Sequence, residues 1–338
     1  MRLTARAGPG LALGLLAAAL IIAVLVSLGI GRYGISPVRV GQILLAAGEP
    51  DAIERHVVLV VRLPRVLTAL FAGAGLALCG AALQGVFRNP LVGPHIIGVS
   101  TGAAFGGTLA ILLSESRGLL LMLAFVFGML ALLMVYALSA VVARRNMLVL
   151  VLAGVVVSGF FGALVSLAQY LADAEEKLPR IVFWLLGSFA TADYARLALM
   201  LGPLVPGAAL ILLLRWRINI LSLGDEEAQA LGVRAGPTRW LVLALIGLIV
   251  SAQVAVSGVI GWIGLVVPHL ARMLVGPDHR ALLPGAMLAG GLFMVLVDDV
   301  ARTLSQSEIP LGILTALIGA PIFALVFLRT GGEGRGHG

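Results

Sequence analysis

Four stretches of this chain, Leu11–Ile30, Val66–Phe87, Gly118–Ala143 and Asn146–Ala172, each run for 20 residues or more without one Asp, Glu, Lys or Arg. About 20 apolar residues in a helix cross a hydrocarbon layer roughly 30 Å thick. Inside lipid every backbone N–H and C=O must be paired within the protein, so runs that are apolar on all faces must be helices. A buried soluble core would need several such helices with no polar face. Composition points the same way. The chain is 60% hydrophobic and 12% charged, where soluble domains have roughly 45–50% apolar and about 25% charged residues. The expected fold class is all-α: a polytopic membrane protein of about ten transmembrane helices in a compact bundle rich in small residues.

The spans are expected near 11–31, 66–87, 94–113, 118–142, 147–172, 195–214, 240–256, 259–275, 281–297 and 309–328. Arg2 and Arg6 precede the first, as in a secretory signal, but its apolar stretch is longer than a signal core and more spans follow. Between Arg239 and Arg272 no residue is charged, and Ser257-Gly258 offers a break between two minimal spans. With the N-terminus inside, 13 of the 23 basic residues fall on the cytoplasmic side, among them Arg88, Arg144, Arg145, Arg215, Arg217, Arg234, Arg239, Arg272, Arg280, Arg329 and Arg335. Both termini are then cytoplasmic. The formal charge of +7 is read as membrane-flanking anchors rather than as a nucleic-acid surface.

Small residues crowd the spans. Gly73, Gly75, Gly80 and Gly85 lie in the second, and Gly98, Gly102 and Gly106 repeat every four residues in the third. Such spacing lets helices approach closely where lipid supplies no hydrophobic push. An offset of 174 residues pairs Arg65 with Arg239, Gly73 with Gly247 and Pro94-His95 with Pro268-His269. Transporters are often built from two related halves. Here the expected number of spans before the two Pro-His pairs is unequal.

Several chemistries are excluded. A phosphate-binding Gly-Lys-Ser/Thr needs a lysine, and the only one, Lys177, precedes a leucine. Cys79 is alone, so neither an intrachain disulfide nor a cysteine metal cluster can form. Gly98-Val-Ser-Thr-Gly102 matches a hydrolase elbow in letters, but that motif needs a strand-to-helix turn and acid and histidine partners. No ionisable residue falls near mid-span, where ion coupling would place one. The nearest, Asp298 and Asp299, end the ninth span, and Asp298 is spaced to pair with Arg302. The energy for transport is therefore expected from another subunit. An ion-coupled secondary transporter is the alternative.

One polar connection could receive that energy. Residues 222–233, Ser-Leu-Gly-Asp-Glu-Glu-Ala-Gln-Ala-Leu-Gly-Val, predict a short helix outside the membrane. Ser222 with Asp225 fits a capping box, the acidic triplet 225–227 suits a helix N-terminus, and Gly232 suits a C-terminal stop.

The order of motifs is familiar at this point. Arg62-Leu-Pro-Arg65, Gln84-Gly-Val-Phe-Arg-Asn-Pro-Leu91, Gly98-Val-Ser-Thr-Gly-Ala103 and Phe183-Trp-Leu-Leu-Gly-Ser188 come first. Leu223-Gly-Asp-Glu-Glu-Ala228, Leu231-Gly-Val233, Gly264-Leu-Val-Val-Pro-His-Leu-Ala-Arg272, Asp278-His-Arg280, Glu308-Ile-Pro-Leu-Gly312 and Gly319-Ala-Pro-Ile-Phe323 follow. Over residues 60–328 the chain resembles the FecCD-type permeases of importers for iron siderophores, haem and cobalamin.

The resemblance implies a homodimer in the bacterial inner membrane with ten helices per subunit. It also implies two cytoplasmic ABC ATPase subunits and a periplasmic substrate-binding protein. ATP and magnesium belong to the ATPase, and this chain carries no cofactor. The segment matching Leu223, Gly224, Asp225, Glu226, Glu227, Ala228, Leu231 and Gly232 is the family's coupling helix. Arg62, Arg65 and Arg302 match the outer arginines that meet glutamates of the binding protein. The expected cargo is an iron siderophore first, then haem, cobalamin and oxyanions.

Overall fold

The computed structural model describes residues 8–31, 33–48, 51–142, 147–305 and 307–333. Arg2, Arg6, Arg144, Arg145 and Arg335, used above to read orientation, lie outside them. Among the described residues fifteen α-helices follow one another: α1 (Pro9–Gly29), α2 (Pro37–Leu44), α3 (Ala52–His56), α4 (Leu63–Phe87), α5 (Val99–Leu113), α6 (Arg117–Val142), α7 (Met147–Leu171) and α8 (Lys177–Leu185), then α9 (Tyr194–Leu213), α10 (Arg215–Leu221), α11 (Asp225–Ala230), α12 (Ala235–Ser257), α13 (Ile263–Val275), α14 (His279–Thr303) and α15 (Leu311–Glu333). A π-helical turn, Val57–Arg62, fuses α3 to α4.

Among the described residues seven helices are long and apolar enough to cross a membrane: α1, the fused Ala52–Phe87 unit, α6, α7, α9, α12 and α14. Three further apolar helical stretches, Val99–Leu113, Ile263–Val275 and Leu311–Leu325, are shorter. The third predicted span is shorter than the sequence implied. Pro94–Ile97 forms a 3₁₀ turn, Gly98 takes a φ of +77°, and the α-helix starts only at Val99. The break between the seventh and eighth spans falls at Gly258, with φ +71°, and α13 then has 13 residues, about 20 Å of helix.

The bundle is organised around α4. From Ala72 to Phe87 every residue of this helix is buried, because α14, α13, α12 and α9 surround it. A helix enclosed on all sides can have no bulky face. A Cβ built on Gly80 would sit 1.8 Å from the Gly264 carbonyl oxygen, and one on Gly73 would sit 2.2 Å from that of Gly290. The pair α5 and α6 uses the same device, Gly102 and Gly106 lying against the carbonyls of Phe127 and Leu123. Peripheral helices show the opposite pattern. Leu15, Ile21 and Ile22 of α1 and Leu152, Val156 and Phe160 of α7 point outward, as a lipid-facing surface requires.

Helix direction defines two ends. His279, which starts α14, lies against Gly85 near the end of α4 and hydrogen-bonds Asn219 of α10 at 3.1 Å, so α4 and α14 are antiparallel. The end holding α10 and α11 is opposite the end holding Arg65 and Asp298. Arg65 and Arg239, matched by the 174-residue offset, begin α4 and α12 at opposite ends, so the matched helices run in opposite directions.

At the end away from α11, three non-helical breaks are joined by backbone hydrogen bonds. Ser188 N–H donates to the Ser257 carbonyl at 2.9 Å, Leu311 N–H to Gly187 at 3.0 Å, and Gly312 N–H to Leu186 at 2.8 Å. The exits of α8 and α12 and the start of α15 thereby form one knot. Gly80→Ala is expected to destabilise the bundle by ~1–3 kcal/mol through overpacking. Gly159→Ala, on open surface of α7, should be neutral or slightly stabilising. Unfolding in detergent checks both, and equal behaviour would refute the role given to the α4 contacts.

Candidate functional site

Six residues, Asp225–Ala230, form α11, too few to be stable alone. Its shape is fixed from both sides. Gly224 precedes it with a φ of +154°, and a Cβ there would meet the Glu227 carboxylate. At the other end Gly232 has a φ of +78°. Its N–H bonds Gln229 O at 3.0 Å while Val233 N–H bonds Ala228 O at 2.8 Å, a Schellman stop. The capping box expected between Ser222 and Asp225 does not form. The Ser222 hydroxyl donates back to Asn219 O at 2.6 Å, inside the last turn of α10, which frees Asp225 for another partner.

That partner is Arg239. Its Nη2 meets Asp225 Oδ1 at 2.8 Å, and the arginine side chain is 5% exposed. A buried guanidinium without a counter-ion costs several kcal/mol, so this pair ties α11 to the first turn of α12. Ala228 is fully buried beneath the helix. Leu223, Glu226, Glu227, Leu231 and Gly232 are exposed. Of the residues expected to couple, Gly224 and Ala228 thus seat the helix, Asp225 pins it, and the rest face outward. A cleft of about 530 Å³ lies beside it, lined by Glu226, Gln229, Arg234 and Arg239.

The three arginines expected at a docking surface occupy the opposite end, and each is engaged inside the subunit. Arg62 donates through Nη1 to the Leu28 and Gly29 carbonyls at 2.8 and 3.0 Å and through Nη2 to Tyr33 O. Arg302 reaches the Ser27 and Ile30 carbonyls. The last carbonyls of a helix have no partners within it, and two cations here satisfy those of α1. Arg65 is held by Asp298 at 2.9 Å and Glu308 at 2.7 Å.

Asp299 completes the cluster, accepting from Ser27 Oγ at 2.6 Å and pairing with Arg302. Asp298 stands only 3.9 Å from Arg302, so the pairing read from helical spacing is secondary to the one with Arg65. The sequence placed these arginines at span ends, where interface anchors belong. It did not show the carbonyls and carboxylates that arrive from distant elements and engage all three in an internal clasp. Ser27, the one hydroxyl in Leu11–Ile30, was a usable sign of a polar contact there.

Ser100 of the elbow-like motif is buried in the first turn of α5. It has no histidine or carboxylate hydrogen-bonded to it among the described residues. The frame is thus a membrane bundle with a rigid polar knob at one end and a buried charge clasp at the other.

The profile of the FecCD transport family matches residues 19–329. The molybdate import system permease protein MolB of Haemophilus influenzae is 54% identical over 318 residues, covering 93% of this chain and 94% of its own. The hemin transport system permease protein HmuU of Yersinia pestis is 39% identical, covering 96% and 97%. The vitamin B12 import system permease protein BtuC of Klebsiella pneumoniae is 38% identical, covering 93% and 92%. A solved ABC transporter described as of metal-chelate type, in an inward-facing conformation, superposes with a TM-score of 0.86 at 51% identity, over 94% of this chain and 98% of that one.

The molecule is a multi-pass permease of the ABC-importer class, and is not itself a catalyst. The chain belongs to the FecCD transport family. A permease of this class works with an ATPase and a substrate-binding protein. Asp298→Asn would leave Arg65 short of one counter-charge. It is expected to cost ~3 kcal/mol, the lower part of the range for a broken buried pair, because Glu308 remains. Unfolding by denaturing detergent measures it, and a loss below about 1 kcal/mol would show the clasp to be solvated.

Proposed function

We propose that this chain is the permease subunit of an ATP-driven importer of a molybdate-type oxyanion. The observation that carries the cargo is the 54% identity to a molybdate permease over nearly the whole of both chains, against 41%, 39% and 38% for the iron chelatin, hemin and vitamin B12 permeases. We therefore rank an oxyanion above the iron siderophore that the sequence reading put first.

In this reading α11 and both termini face the cytoplasm. Two copies of the chain enclose a path between them, and each α11 enters a groove of an ATPase subunit that holds ATP and magnesium. The binding protein docks at the end built on Arg62, Arg65 and Arg302. Those arginines support that surface from within, since their guanidiniums are already engaged. ATP binding draws the two ATPases together, and the Arg239–Asp225 pair hands the motion to α12. Transport is by alternating access, with no covalent step in this chain.

Two measurements test the proposal. The first is co-purification of ATPase activity with the tagged permease. A Leu223→Ala/Glu226→Ala/Leu231→Ala variant alters only exposed positions and spares Asp225, the partner of buried Arg239. It is expected to lower copurifying activity by about tenfold, some ~1.4 kcal/mol of binding. Unchanged activity would remove α11 from the contact. The second is uptake into proteoliposomes holding the permease with its ATPase and binding protein. Molybdate accumulation should require ATP and survive an uncoupler. Accumulation of iron siderophore or hemin but not molybdate would overturn the cargo and leave the importer class standing.

A further inference from the structure

Helices α6 and α9 both lie along α12, and between them the surface opens into two adjoining cavities. The first, of about 420 Å³, is at the end opposite α11. Arg117, Arg180 and Arg196 line it with Ser188, Thr191 and Trp184, and no carboxylate does. The second, of about 380 Å³, continues along the helices and shares Leu121, Ala255 and Val256 with the first. Its remaining walls include Met122, Phe125, Leu199 and Pro203, without one charged side chain. From Arg117 to Phe125 the groove descends about 12 Å along α6.

Three carboxylates stand around the mouth, but they do not serve its arginines equally. Arg180 is paired with Glu115 at 3.1 Å and lies 4.0 Å from Glu176. Arg196 donates to the Thr191 hydroxyl and has Asp193 beside it, yet it stands close enough to Arg117 to be repelled by it. Arg117 makes no ion pair or side-chain hydrogen bond among the described residues. Each of these two arginines lies in the first turn of a membrane-crossing helix, the level of the lipid headgroups. Trp184 beside them is a residue type enriched at that level.

We propose that the groove binds one anionic phospholipid, its phosphodiester held by Arg117 and Arg196 and one acyl chain lying along Leu121, Phe125 and Pro203. A guanidinium matches phosphate oxygens in charge and in donor geometry. A free oxyanion would satisfy the same arginines, but it has no use for an apolar annex of equal size open to the side. A zwitterionic lipid would bring its ammonium into a mouth lined by three arginines.

The experiment uses delipidated permease in detergent. Dioleoyl phosphatidylglycerol, dioleoyl phosphatidylcholine, sodium molybdate and sodium phosphate are added separately, with native mass spectrometry and thermal unfolding as readouts. Phosphatidylglycerol is expected to be retained at one copy per chain and to raise the unfolding midpoint, with phosphatidylcholine retained about tenfold less. Arg117→Gln/Arg196→Gln should reduce retention of phosphatidylglycerol by about tenfold, the scale of a lost charge-assisted pair. Met122→Trp, at an exposed position that keeps every charge, should reduce it by filling the annex. Equal retention of the two lipids, retention unchanged in both variants, or a midpoint raised as much by molybdate or phosphate as by the lipid would each overturn the proposal. The last result would assign the arginines to a soluble oxyanion.

Discussion

Everything in this bundle depends on α4 being approached backbone to backbone. In water a helix buried on all sides would be held by expelled solvent. In lipid, tails solvate a leucine as well as another helix does, so association rests on close van der Waals contact and on buried polar bonds. Gly73 against Gly290 and Gly80 against Gly264 bring main chain to main chain. The same contacts fix how α13 and α14 sit, and through them where α1 and α15 pack. The polar clusters at the two ends can then be assembled from elements that lie far apart in sequence.

Those clusters solve one electrostatic problem twice. Arg65 and Arg239 each begin a helix that crosses the bundle, each is largely shielded from solvent, and each finds an aspartate on another element, at 2.9 and 2.8 Å. A buried ion pair adds little net stability but makes the wrong arrangement expensive. At the Arg65 end the pair belongs to a network that also closes off α1. At the Arg239 end it fixes a helix too short to hold its own shape. The half-chain offset seen in the sequence thus corresponds to two arginine pins on oppositely directed helices.

How much of this could be read beforehand varied with the range of the interaction. Charge-free runs gave the long helices directly, because nothing but a helix satisfies such a backbone in lipid. Gly232 announced the stop of α11, and Ser257-Gly258 the break before α13, since both are local backbone decisions. Ser222 misled for the opposite reason. A serine three residues before an acid has two local ways to spend its hydroxyl, and the turn of α10 claimed it. The intrasubunit partners of Arg62, Arg65 and Arg302 were least legible. A guanidinium at a span end looks free until Ser27, Leu28 and Glu308 are brought to it by tertiary packing.

The knot joining Ser188 to Ser257 and Gly312 to Leu186 bears on how force crosses the molecule. From the Arg239–Asp225 pin to that knot, α12 runs as one uninterrupted helix from Arg239 to Ser257, about 27 Å long, with no proline in that stretch. Both of its ends are fastened, and α6, α9, α4 and α5 pack along its length. A rod held along its length moves as one piece rather than bending. A displacement imposed at the α11 end is therefore carried along the rod to the knot. The entry of α15 and the exit of α8 share that knot, so they are obliged to swing with it.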